Sequence, residues 1–186
     1  SYTLRVTPPT LAITPGSLPG ATVGSSYTST LAASGGAAPY SFALTGGALP
    51  AGLGLSPAGV ISGTPSAGGS FTFTVTSSDS GPAPGPFTAS RSYTLDVAAP
   101  VVVLPATSLP GGQRGSSYSA TLNPATGGTA PYIYAVTGGA LPAGLTLSPG
   151  GSLTGTPTVF GNFSFAITAT DSSTGTGPYT ATQSYT

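Results

Sequence analysis

The chain has 186 residues, and its only formal charges are Arg5, Arg91 and Arg114 against Asp79, Asp96 and Asp171; Glu, Lys, His, Cys, Met and Trp are absent. Three scattered Arg cannot displace counterions along a phosphate backbone, nor form a polybasic membrane contact, so nucleic acid and anionic lipid are excluded as partners. Of the five residue types that carry most nucleophilic, acid–base and metal chemistry only Asp is present, which excludes an enzyme.

Gly (29) and Pro (20) make up just over a quarter of the chain, yet 38% of it is hydrophobic and alternates with period two, so a folded, turn-rich β protein is predicted rather than disorder. The longest apolar run, Val101–Leu104, is one strand's worth and far short of a membrane span. No charged segment precedes an apolar stretch at the amino end, so no signal peptide is read there.

In chain order, Ser1-Tyr2-Thr3-Leu4-Arg5-Val6 alternates as a strand. A first unit follows over residues 7–98, with strands predicted at Leu11–Thr14, Tyr27–Leu31, Tyr40–Leu44, Val60–Ser62, Phe71–Thr76 and Tyr93–Val97. Phe71, Phe73 and Val75 share one face. Gly-Gly, Pro-Gly and Thr-Pro pairs are expected to end the strands. A second unit over 99–186 carries the counterparts, including Phe163–Thr168, and closes on Ser184-Tyr185-Thr186, read as a truncated last strand. No window shows a helical stripe, and about seven short strands per unit predict two antiparallel sandwiches.

The two units are copies. Leu18-Pro19-Gly20 returns as Leu109-Pro110-Gly111, Ala38-Pro39-Tyr40 as Ala130-Pro131-Tyr132, and Thr45–Leu53 as Thr137–Leu145, a period of about 91 residues. Ser1–Val6 copies Ser92–Val97, so the chain opens on a closing strand that belongs to a preceding or neighbouring unit. In a long array it finishes the preceding unit; in a filament of short subunits it pairs with the second unit of another copy.

Leu49-Pro50-Ala51-Gly52-Leu53, then Gly59-Val60-Ile61-Ser62-Gly63-Thr64-Pro65, Gly69 and Asp79 form a motif repeated as Leu141–Leu145, Gly155-Thr156-Pro157, Gly161 and Asp171. This motif resembles the immunoglobulin-like domains of bacterial surface proteins, relatives of the dystroglycan-type cadherin-like domains. The resemblance implies tandem immunoglobulin-like β-sandwiches in secreted or surface-anchored proteins, and no reaction. It also implies calcium as the one cofactor to weigh, because cadherin-like relatives can bind it between modules. Asp79 and Asp171, equivalent positions at a strand end, are the candidate ligands; a turn in which each accepts backbone N–H bonds is the competing reading.

Surface glycans are the other partner to weigh. Tyr27, Tyr40, Tyr93, Tyr118, Tyr132 and Tyr185 recur in both units, either as packing residues with hydroxyls tied to the backbone or as sugar-stacking platforms. Phe42 and its counterpart Tyr134 read as core. With zero net charge and no Lys at strand edges, association with other copies or adjacent repeats is expected. Ser1, Tyr2, Thr3, Leu4, Arg5 and Val6 are the assembly segment. The short, Pro-bearing junction Val97–Val101 predicts a semi-rigid connection. The sequence therefore points to a structural repeat of an extracellular fibre or adhesin stalk, with a carbohydrate-binding module as the alternative.

Overall fold

A computed structural model describes residues 2–186. The protein is all-β and divides into two compact units, one ending at Ala98 and the other running from Ala99 to Thr186. Unit 1 contains Ala12–Thr14 (β1), Ala21–Thr22 (β2), Tyr27–Thr30 (β3), Ala32–Ser34 (β4), Ser41–Gly47 (β5), Leu53–Leu55 (β6), Val60–Gly63 (β7), Ala67–Ser78 (β8) and Thr88–Ala98 (β9). Unit 2 contains Tyr118–Thr121 (β10), Ile133–Gly139 (β11), Leu145–Leu147 (β12), Ser152–Gly155 (β13), Phe165–Thr170 (β14), Thr174–Gly175 (β15) and Thr180–Tyr185 (β16).

In unit 1, β5, β8, β9 and β2 form one sheet, while β3, β7 and β6 form another and β1 pairs with β4. All these pairs are antiparallel except β2 with β9. Unit 2 repeats the two main sheets as β11–β14–β16 and β10–β13–β12. Each core forms where the alternating apolar faces meet. Phe73, Val75, Leu95, Ile61 and Leu31 are fully buried in unit 1; Phe165, Ile167, Ala169, Leu153 and Leu122 are buried in unit 2. Phe73 faces Tyr93 across the β8–β9 ladder with ring centroids 6.0 Å apart, and Phe165 faces Tyr185 at 5.7 Å.

The repeated Leu-Pro-Ala-Gly-Leu and Gly-Thr-Pro motifs are two halves of one backbone clasp. Thr64 N–H donates to Gly52 O (3.1 Å) and Ser66 N–H to Ala51 O (2.8 Å); Thr156 and Thr158 do the same to Gly144 and Ala143 (3.0 and 2.8 Å). The chains cross so closely that a Cβ on Gly52 or Gly144 would run into the carbonyl oxygen of Thr64 or Thr156. Both glycines also hold positive φ, +91° and +95°, so backbone approach and conformation demand the same residue.

Several strand limits differ from those predicted. Gly46-Gly47 and Gly138-Gly139 are the last two residues of β5 and β11, paired after a bulge at Thr45 and Thr137 that carries the ladder past the limit predicted at Leu44. The closing strands start earlier, at Thr88 and Thr180, because Ser and Thr alternate there on the outer face without any apolar signal. Phe163 and Ser164 fall outside β14, which begins at Phe165. Tyr2–Val6 form no strand within this chain, and Tyr2, Leu4 and Val6 are exposed; a strand needs a ladder partner, and unit 1 already has its closing strand in β9. Ser1 lies outside the described residues.

Candidate functional site

Asp79 and Asp171 each follow the last strand residue of a central strand or its turn and point back under a glycine-rich loop. Asp79 is buried and accepts N–H bonds from Ala37 (3.0 Å, Oδ2) and Phe87 (2.7 Å, Oδ1). Asp171, also buried, accepts from Thr129 (3.0 Å, Oδ2), Tyr179 (2.7 Å, Oδ1) and the Ser173 N–H and hydroxyl (3.3 and 2.6 Å, Oδ1). Each carboxylate thus latches two loops: one 42 residues upstream, the other eight residues downstream. The upstream loop comes close enough only because Gly36 and Gly128 have no side chain, since a Cβ there would strike the carboxylate. Tyr40 and Tyr132 staple the same loop by donating their hydroxyls to Gly35 O (2.7 Å) and Gly127 O.

The Ala37 N–H, with further N–H groups of Phe87 and Gly81, holds the Asp79 carboxyl below the usual range against the opposing effect of burial. Burial pushes Asp171 upward, but hydrogen bonds from Ser173, Thr129 and Tyr179 outweigh it and leave its pKa lowered. The carboxylate form is therefore the one the loops are built around. Both lone-pair sets are turned toward N–H donors, and among the described residues no three carboxylates or other metal-binding side chains gather. Asp96, the third acid, sits on the surface and accepts from the Ser70 hydroxyl (2.6 Å).

Asp171→Ala is expected to destabilise unit 2 by about 2–4 kcal/mol, because it leaves the part-buried N–H groups of Thr129 and Tyr179 and the buried Ser173 without their acceptor. The corresponding fall in thermal midpoint is roughly 10–25 °C for a unit this size, read by calorimetry. Asp171→Asn, which keeps one acceptor oxygen, should recover part of the loss. Asp79→Ala should act in the same direction on unit 1.

The stability–pH profile follows from the same groups. Asp79 and Asp171 have lowered folded values, so their contribution is present above about pH 4 and is lost as pH falls through those lower values. Burial raises the hydroxyls of Tyr27, Tyr93, Tyr118, Tyr132 and Tyr185. Their contribution is complete below about pH 10 and is lost as pH rises through the raised values. No side chain titrates between these groups, so the urea midpoint should be flat from about pH 5 to pH 9. A step near neutral pH would contradict this assignment.

The tyrosines that recur in both units face inward or are tied down. Tyr27, Tyr93 and Tyr185 are buried. The hydroxyls of Tyr27, Tyr93 and Tyr118 donate to Pro19 O (3.1 Å), Pro15 O (3.0 Å) and Pro110 O (3.0 Å). Phe42 and Tyr134 are core residues, and the Tyr134 hydroxyl accepts the Ala125 N–H at 2.8 Å.

Outward sheet faces carry hydroxyls instead. Thr45, Thr76 and Ser90 form a row across β5, β8 and β9 with 2.7 Å oxygen contacts, beside Thr74–Ser92 at 3.0 Å. Thr137, Thr168 and Thr182 repeat the row across β11, β14 and β16 at 2.7 Å. Sequence reading placed the tyrosines and acids but missed the latch partners; the signal was the Gly-Gly pair at a constant distance before Ala-Pro-Tyr in both units.

One concave surface lies in unit 2. A groove of about 360 Å³ is bordered by Leu109–Gly112, Tyr118, Leu153, Val159–Phe163, Phe165 and Thr186.

Comparison with known proteins places this architecture. The protocadherin GammaB4 extracellular domain is 17% identical over 95% of this chain and 34% of its own, with a TM-score of 0.41. Mouse cadherin-23 EC22-24 is 18% identical over 94% of this chain and 64% of its own, at 0.35. The endo-fucoidan hydrolase MfFcnA9 from glycoside hydrolase family 107 is 20% identical over 96% of this chain and 34% of its own, at 0.38. The chain thus spans less than two thirds of each of these structures. No curated protein sequence matches it. The family model described as "He_PIG: Putative Ig domain" matches residues 8–98 and again residues 100–186. The chain belongs to this immunoglobulin-like domain family and carries two of its domains in tandem.

Proposed function

We propose that the chain is a non-catalytic structural repeat of an extracellular fibre or adhesin stalk, giving a semi-rigid, protease-resistant spacer. The observation that carries this reading is the division of labour between aromatic and hydroxyl side chains. A sugar-binding sandwich displays flat aromatic faces for rings to stack on. Here the tyrosines that recur in both units are turned into the cores or bonded to backbone carbonyls, and the outward sheet faces carry rows of Thr and Ser paired to one another. The latch aspartates hold loops together, which is a structural duty.

Composition supports the same role. Without Lys, and with three Arg, the chain offers few sites to trypsin-like proteases; without Cys and Met it lacks the usual oxidation targets. Its partners on this reading are adjacent repeats or other copies, with Ser1, Tyr2, Thr3, Leu4, Arg5 and Val6 as the assembly segment.

Stretching single chains tests the proposal. Two discrete unfolding steps, each releasing roughly 300 Å of contour, are expected from units of about 90 residues. Smooth extension without steps, or retention of the chain on a polysaccharide or glycan array, would reject it in favour of a sugar-binding module.

A further inference from the structure

One residue of β9 breaks the pattern of its strand. Arg91, Tyr93, Leu95 and Val97 alternate on the inner face of unit 1, where Tyr93, Leu95 and Val97 are buried and Arg91 is half-buried. A cation at the head of an apolar face is costly unless a polar group meets it. Arg91 meets the backbone rather than an acid: its Nη1–H donates to Ile13 O. Two residues further on, the Tyr93 hydroxyl donates to Pro15 O at 3.0 Å. Neither bond belongs to the aspartate latch or to the glycine clasp.

These two bonds begin a longer series. Gly20 lies so near β9 that a Cβ there would stand 3.6 Å from Asp96 O. Ala21 and Thr22 then pair in parallel with Val97 and Ala98, and the Val23 N–H donates to Ala98 O at 3.1 Å. Partners advance together along both segments, from Ile13 with Arg91 to Val23 with Ala98. The segment by which the chain enters unit 1 is thus stitched, in parallel, along the strand by which it leaves for unit 2. Leu11, Ile13, Ala21 and Val23 are themselves buried, which seats the entry segment in the core.

The parallel direction decides how this seam meets tension. A pull along the chain draws the entry segment back toward its amino end and draws β9 forward toward its carboxyl end. Because the two run the same way, they must slide past each other, and every bond of the seam is loaded at once. An antiparallel neighbour such as β8 behaves otherwise. Gly69 and Val97 face each other at the open end of that pair, so drawing those ends apart breaks one rung after another.

We propose that unit 1 is a tension-bearing module, in which the seam between Ile13–Val23 and β9 carries load from entry to exit without routing it through the core. The bonds from Arg91 and Tyr93 lengthen the seam beyond the two residues of β2. The one from Arg91 is charge-assisted and therefore of the stronger kind. This inference rests on the reading of the chain as a structural spacer and names the part that bears force.

Because the chain contains no Cys, paired cysteines can set the direction of pull on the full chain, at positions that are exposed. Handles at Pro8→Cys and Ala99→Cys load the seam lengthwise. Handles at Ser25→Cys and Ala99→Cys pull the carboxyl ends of β2 and β9 apart sideways. At equal force the lengthwise opening of unit 1 should be slower by about tenfold or more, since forced unfolding reads the unfolding rate. Arg91→Gln combined with Tyr93→Phe, which keeps a ring against Phe73, should raise the lengthwise rate about tenfold and leave the sideways rate within about twofold of its starting value. Equal rates in the two geometries overturn the proposal. So does a variant that weakens both directions alike, because the two bonds would then be ordinary fold contacts. Either failure, in a chain that still unfolds in two discrete steps on extension, sinks this inference alone and leaves the structural role standing.

Discussion

Phe73→Ala is expected to destabilise unit 1 by about 3–5 kcal/mol, the range for emptying a buried aromatic position. Phe73 is 1% exposed and lies in the middle of β8, with Tyr93 opposite it and the apolar faces of Ile61 and Leu95 in the same core. The loss combines the transfer free energy of the ring with a cavity that β-sheet neighbours cannot collapse into, because their backbones are fixed by ladders on both sides. A unit of about 90 residues has only about 5–10 kcal/mol in reserve at typical values, and no disulfide limits the unfolded state. The thermal midpoint of unit 1 should fall by roughly 15–30 °C in calorimetry. A shift under about 3 °C would mean that the core is not organised around β8.

Gly144→Ala is expected to cost unit 2 at least about 3 kcal/mol, through left-handed backbone strain added to a steric clash. The new methyl would meet the Thr156 carbonyl, whose own N–H is bonded to Gly144 O at 3.0 Å, so neither partner can retreat without opening the clasp. Gly54→Ala is the control. Gly54 lies one residue inside β6, a methyl placed on it would find no heavy atom within 4 Å, and its counterpart in the second unit is Thr146. That change should be neutral or stabilising by up to about 1 kcal/mol. Equal losses in the two variants, read from urea midpoints, would rule out the clasp as the reason for the motif.

Much of this architecture was legible in the residues because two copies of one pattern confirm each other. Period-two alternation at Phe71–Thr76 and Tyr93–Val97 places strands that the structure contains, and the family motif fixes the sandwich. The limits of those strands were less legible. Gly46-Gly47 reads as a stop and β5 does end there, but the bulge at Thr45 absorbs the extra residue and brings both glycines into the ladder. Thr88–Ser92 carries no apolar alternation, since its half-buried positions are Ala89 and Arg91, so the start of β9 was invisible.

The aspartate latch shows a different limit. That Asp79 and Asp171 occupy turns follows from their position, but their partners at Ala37 and Thr129 are brought in by tertiary structure. Only the loop glycines hint at the contact, and they do so through space left empty rather than through any group supplied.

The physical basis of the proposed role is a chain with few ionisable groups whose polar chemistry is spent on holding loops and covering sheet faces. Electron microscopy of the native material is the most direct test. Fibres, or stalks built from serial units, are the expected result; discrete compact particles that turn over a substrate would contradict it.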